Sequence, residues 1–237
     1  MTKADQSQRL LTEYLAGFLT DQRKQKIEDV LFLRTRYVTV VLEDIHKSQN
    51  GSAVLRTAEA MGVQDVYLIQ NKNPFRIYDG VTRGASKWLT LHRFSRKGQN
   101  NTPACFAALR QKGYYLVAAS PHADGWSLED IPLDRKLAFI FGNELEGLSD
   151  YAYRHADAHL RLPMYGFTES YNISVSVAIT LAYVLPKLRR LDVPWPLTGA
   201  EKAELRLKWY RRSIDHIREI EAHFWREIAP YAPPASN

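Results

Sequence analysis

Five polar side chains of this 237-residue chain are candidates for chemistry because each stands in a loop or helix that follows an apolar strand-like segment. They are Asn50, Arg56, Glu144, Ser170 and Asn172. Arginine pairs with phosphates, a carboxylate accepts hydrogen bonds, and amides and hydroxyls both donate and accept them. In α/β proteins, ligands bind where strands end and lead into helices. These residue types in these places therefore predict a binding or catalytic site.

The segment of residues 161–185 contains the clearest junction of this kind. It predicts a short strand ending at Pro163, a polar loop around Gly166, and a helix that begins near Asn172, a favourable N-cap residue. Small side chains in the first turns of that helix would let another element or a ligand approach closely. On its local pattern alone, the segment is also typical of a buried strand, loop and helix without a functional role.

The other two segments have alternatives as well. Arg56 lies about 200° around a predicted helix from the core residue Val54, so it points away from the core. It could serve a substrate or pair with Glu59 one turn further on. Gly142 would let a ligand approach the backbone at the end of an apolar strand. Glu144 could anchor a loop or a substrate, or be an exposed carboxylate in a turn.

The elements that must position these residues alternate between strand and helix, which favours an α/β fold with a mostly parallel sheet and helices on both faces. Buried strands are predicted at 38–42, 65–69, 88–94, 114–119, 137–141 and 158–162. Core helices are predicted at 52–61, 102–112, 150–155 and 173–188. We expect this domain over residues 36–190. Residues 1–35 are expected to form an N-terminal helical extension, and residues 191–237 a linker and a C-terminal extension with one helix over 198–228.

Composition excludes several classes of protein. No apolar run reaches the roughly 18 residues of a membrane span, and the N-terminus lacks the apolar region of a signal peptide, so a cytoplasmic protein is expected. The single cysteine, Cys105, excludes an internal disulfide and is expected to pack on a helix as a small apolar residue. No metal site is expected, because His155 and His159 lack an obvious third ligand.

Familiar phosphate-binding and hydrolase signatures are missing from the sequence. Gly142 and Gly147 have the spacing of the Walker glycines, but no Lys-Ser/Thr pair follows them. No G-x-G-x-x-G motif follows the first predicted strand, and no G-x-S-x-G motif occurs. A dinucleotide enzyme of the usual kind and a serine hydrolase are therefore not expected.

The formal net charge of +6 is concentrated in one segment, residues 71–98. Seven basic residues stand there against a single acid, Asp79, and the aromatic residues Phe75, Tyr78, Trp88 and Phe94 are interleaved with them. Such a segment can bind phosphates and stack on unpaired bases. The alternative is a solvated loop whose aromatic side chains turn inward, and the composition favours neither.

Taken together, the three segments resemble the SPOUT methyltransferases, and within them the SpoU or TrmH branch of RNA ribose 2′-O-methyltransferases. The motifs that carry the resemblance are His46 with Lys47, Asn50, Arg56 with Thr57, and Gly62 with Val63; residues 141–144 with Gly147; and residues 162–164, Gly166 and 170–175. Residues 84–88 resemble a stretch typical of the tRNA guanosine-18 enzymes. The resemblance covers roughly residues 36–190.

The resemblance implies a trefoil knot at the carboxyl end of the domain, whose loops hold S-adenosylmethionine. By position, the cofactor-binding residues would be Ala119, Gly142, Leu162, Met164, Gly166 and Tyr171. The resemblance also implies a homodimer in which Arg56 of one subunit serves near the cofactor of the other. The RNA would be contacted by basic residues, namely Lys47, Arg76, Arg83 and Lys87.

The implied reaction is attack of a ribose 2′-oxygen on the cofactor's methyl group, without a metal. The catalytic set would be the five polar residues named first, with Arg56 either a transient proton acceptor or a phosphate-binding group. The expected substrate is tRNA at guanosine 18, and the alternatives are ribosomal RNA or a non-catalytic knotted RNA-binding protein. Two positions depart from the family pattern: Tyr171 stands where leucine is usual, and Glu169 where glutamine or serine is common.

Overall fold

The structure, a computed structural model, describes residues 3–121 and 124–228, and of residues 3–5 and 228 the backbone only. The chain divides into two compact units. One contains residues 35–196, and the other combines the first 34 residues with those from 197 onward.

The larger unit is built on a parallel sheet of six strands. They are β1 (Val38–Glu43), β2 (Asp65–Ile69), β3 (Thr90–Phe94), β4 (Tyr115–Ala119), β5 (Leu137–Phe141) and β6 (Ala158–Leu160). Their order across the sheet is β3-β2-β1-β5-β4-β6. In the centre, Val40 of β1 is in register with Val66 of β2 and with Phe139 of β5. The predicted parallel α/β fold is therefore confirmed.

Helices cover both faces of this sheet. They are α3 (Ser48–Met61), α4 (Asp79–Thr82), α5 (Thr102–Gln111), α6 (Asp150–His155) and α7 (Ile173–Leu188). Alternate side chains of the strands point to opposite faces. Val40 and Phe139 belong to the core cluster that contains residues of α3 and α7, whereas Val41 and Ile140 belong to the cluster of α5 and α6. Because both faces are covered, the central strands are apolar throughout rather than alternating.

The predicted elements needed several corrections. The last strand, β6, ends at Leu160 rather than at residue 162 or Pro163. Helix α3 begins at Ser48 rather than at residue 52, so Asn50 lies in its first turn and not in a preceding polar turn. Strand β3 begins at Thr90 rather than at residue 88, because Ala85–Trp88 form a 3-10 turn. The single helix predicted over 198–228 is interrupted at His216, whose left-handed backbone (φ 52°) cannot continue a right-handed helix.

The smaller unit is helical, as predicted for both ends of the chain. It contains α1 (Lys3–Ala16), α2 (Asp21–Leu33), α8 (Gly199–Ser213), α9 (Ile217–His223) and a π-helical turn, Phe224–Ile228. Glu28 of α2 accepts two hydrogen bonds from Arg206 of α8, at 2.5 and 2.7 Å. Among the described residues, no helix is long and apolar enough to cross a bilayer.

Candidate active site

The carboxyl ends of β1 and β5 are where this sheet can bind a ligand. The chain leaves β1 toward α3 on one face of the sheet and leaves the neighbouring β5 toward α6 on the other face. Such a reversal opens a crevice between two adjacent strands. A cavity of about 770 Å³ lies there, lined by the segments that follow β1, β4, β5 and β6. Its volume is in the range of small-molecule sites.

A chain of hydrogen bonds at this cavity joins the three motifs that the sequence separates. Glu144, after β5, accepts hydrogen bonds from the backbone N–H of His46 (2.9 Å) and from Nδ2 of Asn50 (2.7 Å). Oδ1 of Asn50 accepts one from Nδ2 of Asn172 at 3.3 Å. Oδ1 of Asn172 caps α7 by accepting from the backbone N–H of Ser174 at 2.9 Å. The predicted N-cap is therefore confirmed.

The groups at the two ends of this hydrogen-bond series, the Glu144 carboxylate and the N-terminus of α7, fix the orientation of the side-chain amides of Asn50 and Asn172. An ionised carboxylate only accepts hydrogen bonds, so Asn50 must turn its NH₂ group toward Glu144. Its carbonyl then faces Asn172, which must donate there and accept from the helix N-terminus. The network thus leaves no freedom for an amide flip without loss of a hydrogen bond.

The loop that carries Glu144 folds tightly back on itself. Asn143 and Gly147 exchange backbone hydrogen bonds of 2.8 and 2.9 Å, and Oδ1 of Asn143 accepts the backbone N–H of Leu145 at 2.7 Å. A Cβ on Gly142 would collide with the backbone of Gly147. The space beside the Cα of Gly142, where the sequence analysis expected a ligand to approach, is occupied by the backbone of its own loop, so no larger residue fits there.

Two carboxylates beneath the cavity were missed by the sequence analysis. Glu43, 2% exposed, accepts hydrogen bonds from Thr102 at 2.6 Å and from the backbone and side chain of Ser149, the N-cap residue of α6. Asp44 accepts the backbone N–H groups of three successive residues, 71–73, at 2.8–3.1 Å. Its carbonyl also accepts from the side chain of Asn143 at 2.9 Å. Asp44 thus ties the start of the basic segment to the cavity loop. The signal in the sequence that could have identified Glu43 and Asp44 is their position as a polar pair directly after the predicted strand 38–42.

The structure brings most of the predicted site residues to the cavity and leaves others outside. Those that line it are Lys47, Asn50, Ala119, Gly142, Glu144, Leu162, Met164, Ser170, Tyr171 and Asn172. Those that do not are Arg56, Arg76, Arg83, Lys87 and Gly166. Arg56 is exposed on α3 and, within the described parts of the chain, its side chain makes no hydrogen bond or ion pair.

The basic segment 71–98 combines exposed cations with partly buried aromatic rings. Arg76, Arg83 and Lys87 are exposed. Phe75 is buried and packs against α3, whereas Tyr78 is 44% exposed. Lys72 forms an ion pair of 2.8 Å with Glu146, and this hydrogen bond raises the pKa of the Lys72 ammonium. Phe75 turns inward, as one alternative of the sequence analysis has it, and RNA binding by the exposed cations and Tyr78 stays a prediction.

Cys105 lies on α5, as predicted, and is fully buried in the core. Burial raises the pKa of its thiol, so the neutral form is favoured. Cys105 is thus a packing residue and does not line the cavity.

Fold and cavity together define an α/β protein that binds its ligand at a switch point of a parallel sheet. Residues 37–182 match the SpoU rRNA methylase family. The chain is 43% identical, over 87% of its length and 93% of the relative's, to the tRNA (guanosine(18)-2′-O)-methyltransferase of Borreliella burgdorferi. It is 30% identical to the enzyme of that name from Thermus thermophilus, over 68% of the chain and 81% of the relative.

The fold has a solved counterpart in a tRNA-modifying enzyme of the TrmH/SpoU type from A. aeolicus. That likeness has a TM-score of 0.71 at 24% identity and covers 82% of this chain and 98% of the other. The chain belongs to the SpoU methylase family. The predictions of an RNA methyltransferase that uses S-adenosylmethionine are confirmed by this membership. The trefoil knot stays a prediction.

Proposed function

We propose that this chain methylates the ribose 2′-oxygen of guanosine 18 in tRNA. The observation that carries the chemistry is the network in which Glu144, Asn50 and Asn172 unite three motifs at one cavity. The choice of tRNA is supported by relatives that bear this activity in their names, one of them 43% identical. Action on tRNA is also consistent with a cytoplasmic protein.

The cavity has the chemical character that S-adenosylmethionine requires. The buried Leu162 and the half-buried Met164 offer apolar surface to the adenosine, and Gly142 and Ala119 offer backbone groups without bulky side chains. When bound, the cofactor supplies an electrophilic methyl group on a sulfonium. Glu144, held at its loop, Ser170 and Asn172 would then position the ribose, and positioning alone can contribute several kcal/mol.

Arg56 is proposed to bind a substrate phosphate and to orient the ribose hydroxyl. A guanidinium stays protonated in proteins, so it is a poor proton acceptor but a good bidentate ligand for phosphate. Its exposed position without an ion-pair partner in the described chain leaves it available for that contact. The proton of the hydroxyl would pass to water or to the phosphate.

The position of Arg56 supports a homodimeric enzyme. Arg56 lies six residues after Asn50, about 9 Å further along α3, and does not line the cavity of its own chain. In a dimer, Arg56 of the partner subunit would complete the site. Mixing Arg56→Ala protein with Asn172→Ala protein should restore about a quarter of wild-type activity, because half of the dimers are mixed and each has one intact site. Activity no higher than that of the separate variants would contradict a shared site.

The reaction is tested with labelled S-adenosylmethionine, total tRNA and ribosomal RNA, with Arg56→Ala as the control. Label at a tRNA ribose that is lost in Arg56→Ala is the expected result, and a transcript with guanosine 18 replaced should accept no label. Label in ribosomal RNA alone, the substrate for which the SpoU rRNA methylase family is named, would retain the chemistry and overturn the proposed substrate. Cofactor binding without transfer to either RNA would point to a different substrate, whereas no cofactor binding would favour a non-catalytic RNA-binding protein.

A further inference from the structure

The loop between β6 and α7 forms one wall of the cavity with little support of its own. Leu162, Met164, Ser170 and Tyr171 line the cavity, whereas the tip is solvated, with Tyr165 97% exposed and Phe167 fully exposed. Within the described chain, residues 162–171 take part in a single hydrogen bond. The Tyr171 hydroxyl donates it to the carbonyl oxygen of Pro163 at 2.9 Å.

This hydrogen bond closes the loop across eight residues. Pro163 follows the buried Leu162 and lies three residues beyond β6, and Tyr171 precedes the Asn172 cap of α7. Both ends of the closure thus lie close to regular structure, while the residues between them do not. The Tyr171 hydroxyl therefore links the two ends of the loop that forms this wall of the cavity. A leucine, usual at this position in the family pattern, has no donor and could not do so.

We propose that Tyr171 is a positioning residue, whose hydroxyl holds the loop of residues 163–171 in the shape that receives S-adenosylmethionine. The inference rests on the proposed function for the identity of the ligand. Tyr171 acts indirectly. Its hydroxyl donates a hydrogen bond to the carbonyl oxygen of Pro163, and the loop residues that this bond holds in place line the cavity. Without the hydroxyl, the loop samples open shapes, and binding must restore the closed one at a cost in affinity.

The closure itself is tested on the protein without ligand. Tyr171→Phe removes the hydroxyl and keeps the ring, and Tyr165→Phe removes a hydroxyl that has no partner in the described chain from the same loop. Both variants keep every aromatic cleavage site, so chymotrypsin can compare them directly. We expect cleavage after Tyr165 or Phe167 to be about two- to tenfold faster in Tyr171→Phe, the effect of one ordinary hydrogen bond, and unchanged in Tyr165→Phe.

The consequence for the ligand is tested by calorimetry with S-adenosylmethionine and by steady-state kinetics. In Tyr171→Phe, we expect the Kd and the KM for the cofactor to rise about two- to tenfold, with kcat changed much less. Faster cleavage with an unchanged Kd would overturn the positioning role, and a weaker Kd with unchanged cleavage would mean that the hydroxyl contacts the ligand directly. If wild-type protein bound no cofactor, the proposed function would fail, and the cleavage rates alone would decide whether Tyr171 closes the loop.

Discussion

Replacement of Glu144 by glutamine is the most direct test of the network that joins the three motifs. The carboxylate accepts from two donors, the backbone N–H of His46 at 2.9 Å and Nδ2 of Asn50 at 2.7 Å. Glutamine has nearly the same shape but only one acceptor oxygen. One of the two donors would therefore face an NH₂ group, and the other would lose a charged acceptor.

The expected loss of free energy follows from these two hydrogen bonds to Glu144. A hydrogen bond to a charged group contributes about 1.5–3 kcal/mol, and the half-buried position of Glu144 reduces that value, so the loss is about 1–3 kcal/mol. Because Asn50 in turn hydrogen-bonds to Asn172, the substitution should disturb the positions of both side chains at the site. The expected decrease in kcat/KM is about 5- to 150-fold.

The assay is methyl transfer to tRNA, with urea unfolding measured in parallel to separate activity from stability. Glu146→Gln is the matched control, since Glu146 lies in the same loop but makes an exposed ion pair with Lys72. Its kcat/KM should fall by less than about threefold, because exposed ion pairs contribute little. Equal losses in Glu144→Gln and Glu146→Gln would refute the reasoning, since the network would then matter no more than surface charge.

Three further perturbations test the cavity loop and the core. Gly142→Ala should lower the free energy of unfolding by about 1–3 kcal/mol in urea titrations, because its Cβ meets the backbone of Gly147, whereas Gly166→Ala meets nothing within 4 Å and should change it little. Asp44→Asn should cost a similar amount, since a charged acceptor of three backbone N–H groups is lost; an unchanged midpoint would contradict this. The pKa of the Cys105 thiol is raised above its ordinary value of 9.0, so its contribution to stability is complete below pH 9 and is lost as the pH rises beyond it. Iodoacetamide should accordingly leave Cys105 unlabelled at pH 8 in folded protein and label it in urea.

The sequence by itself determined the local elements and the identity of the site. Short apolar runs such as Leu137–Phe141 are typical of buried strands, and their alternation with helices indicated a parallel sheet. Asn172 was recognisable as a helix cap because capping depends on adjacent residues. The residues that line the cavity were largely identified through motifs, each of which is a short local pattern.

Only the tertiary structure decided which of these elements meet. The placement of β5 beside β1 brings Glu144 to Asn50 across 94 positions of sequence, and no periodicity records such a contact. The same holds for Asp44, whose left-handed backbone (φ 55°) turns its carboxylate toward residues 71–73, and for Tyr171, whose phenol reaches Pro163. Periodicity reports the burial of a single element, whereas strand order and side-chain contacts depend on how all elements pack at once, and that is why the network appeared only in three dimensions.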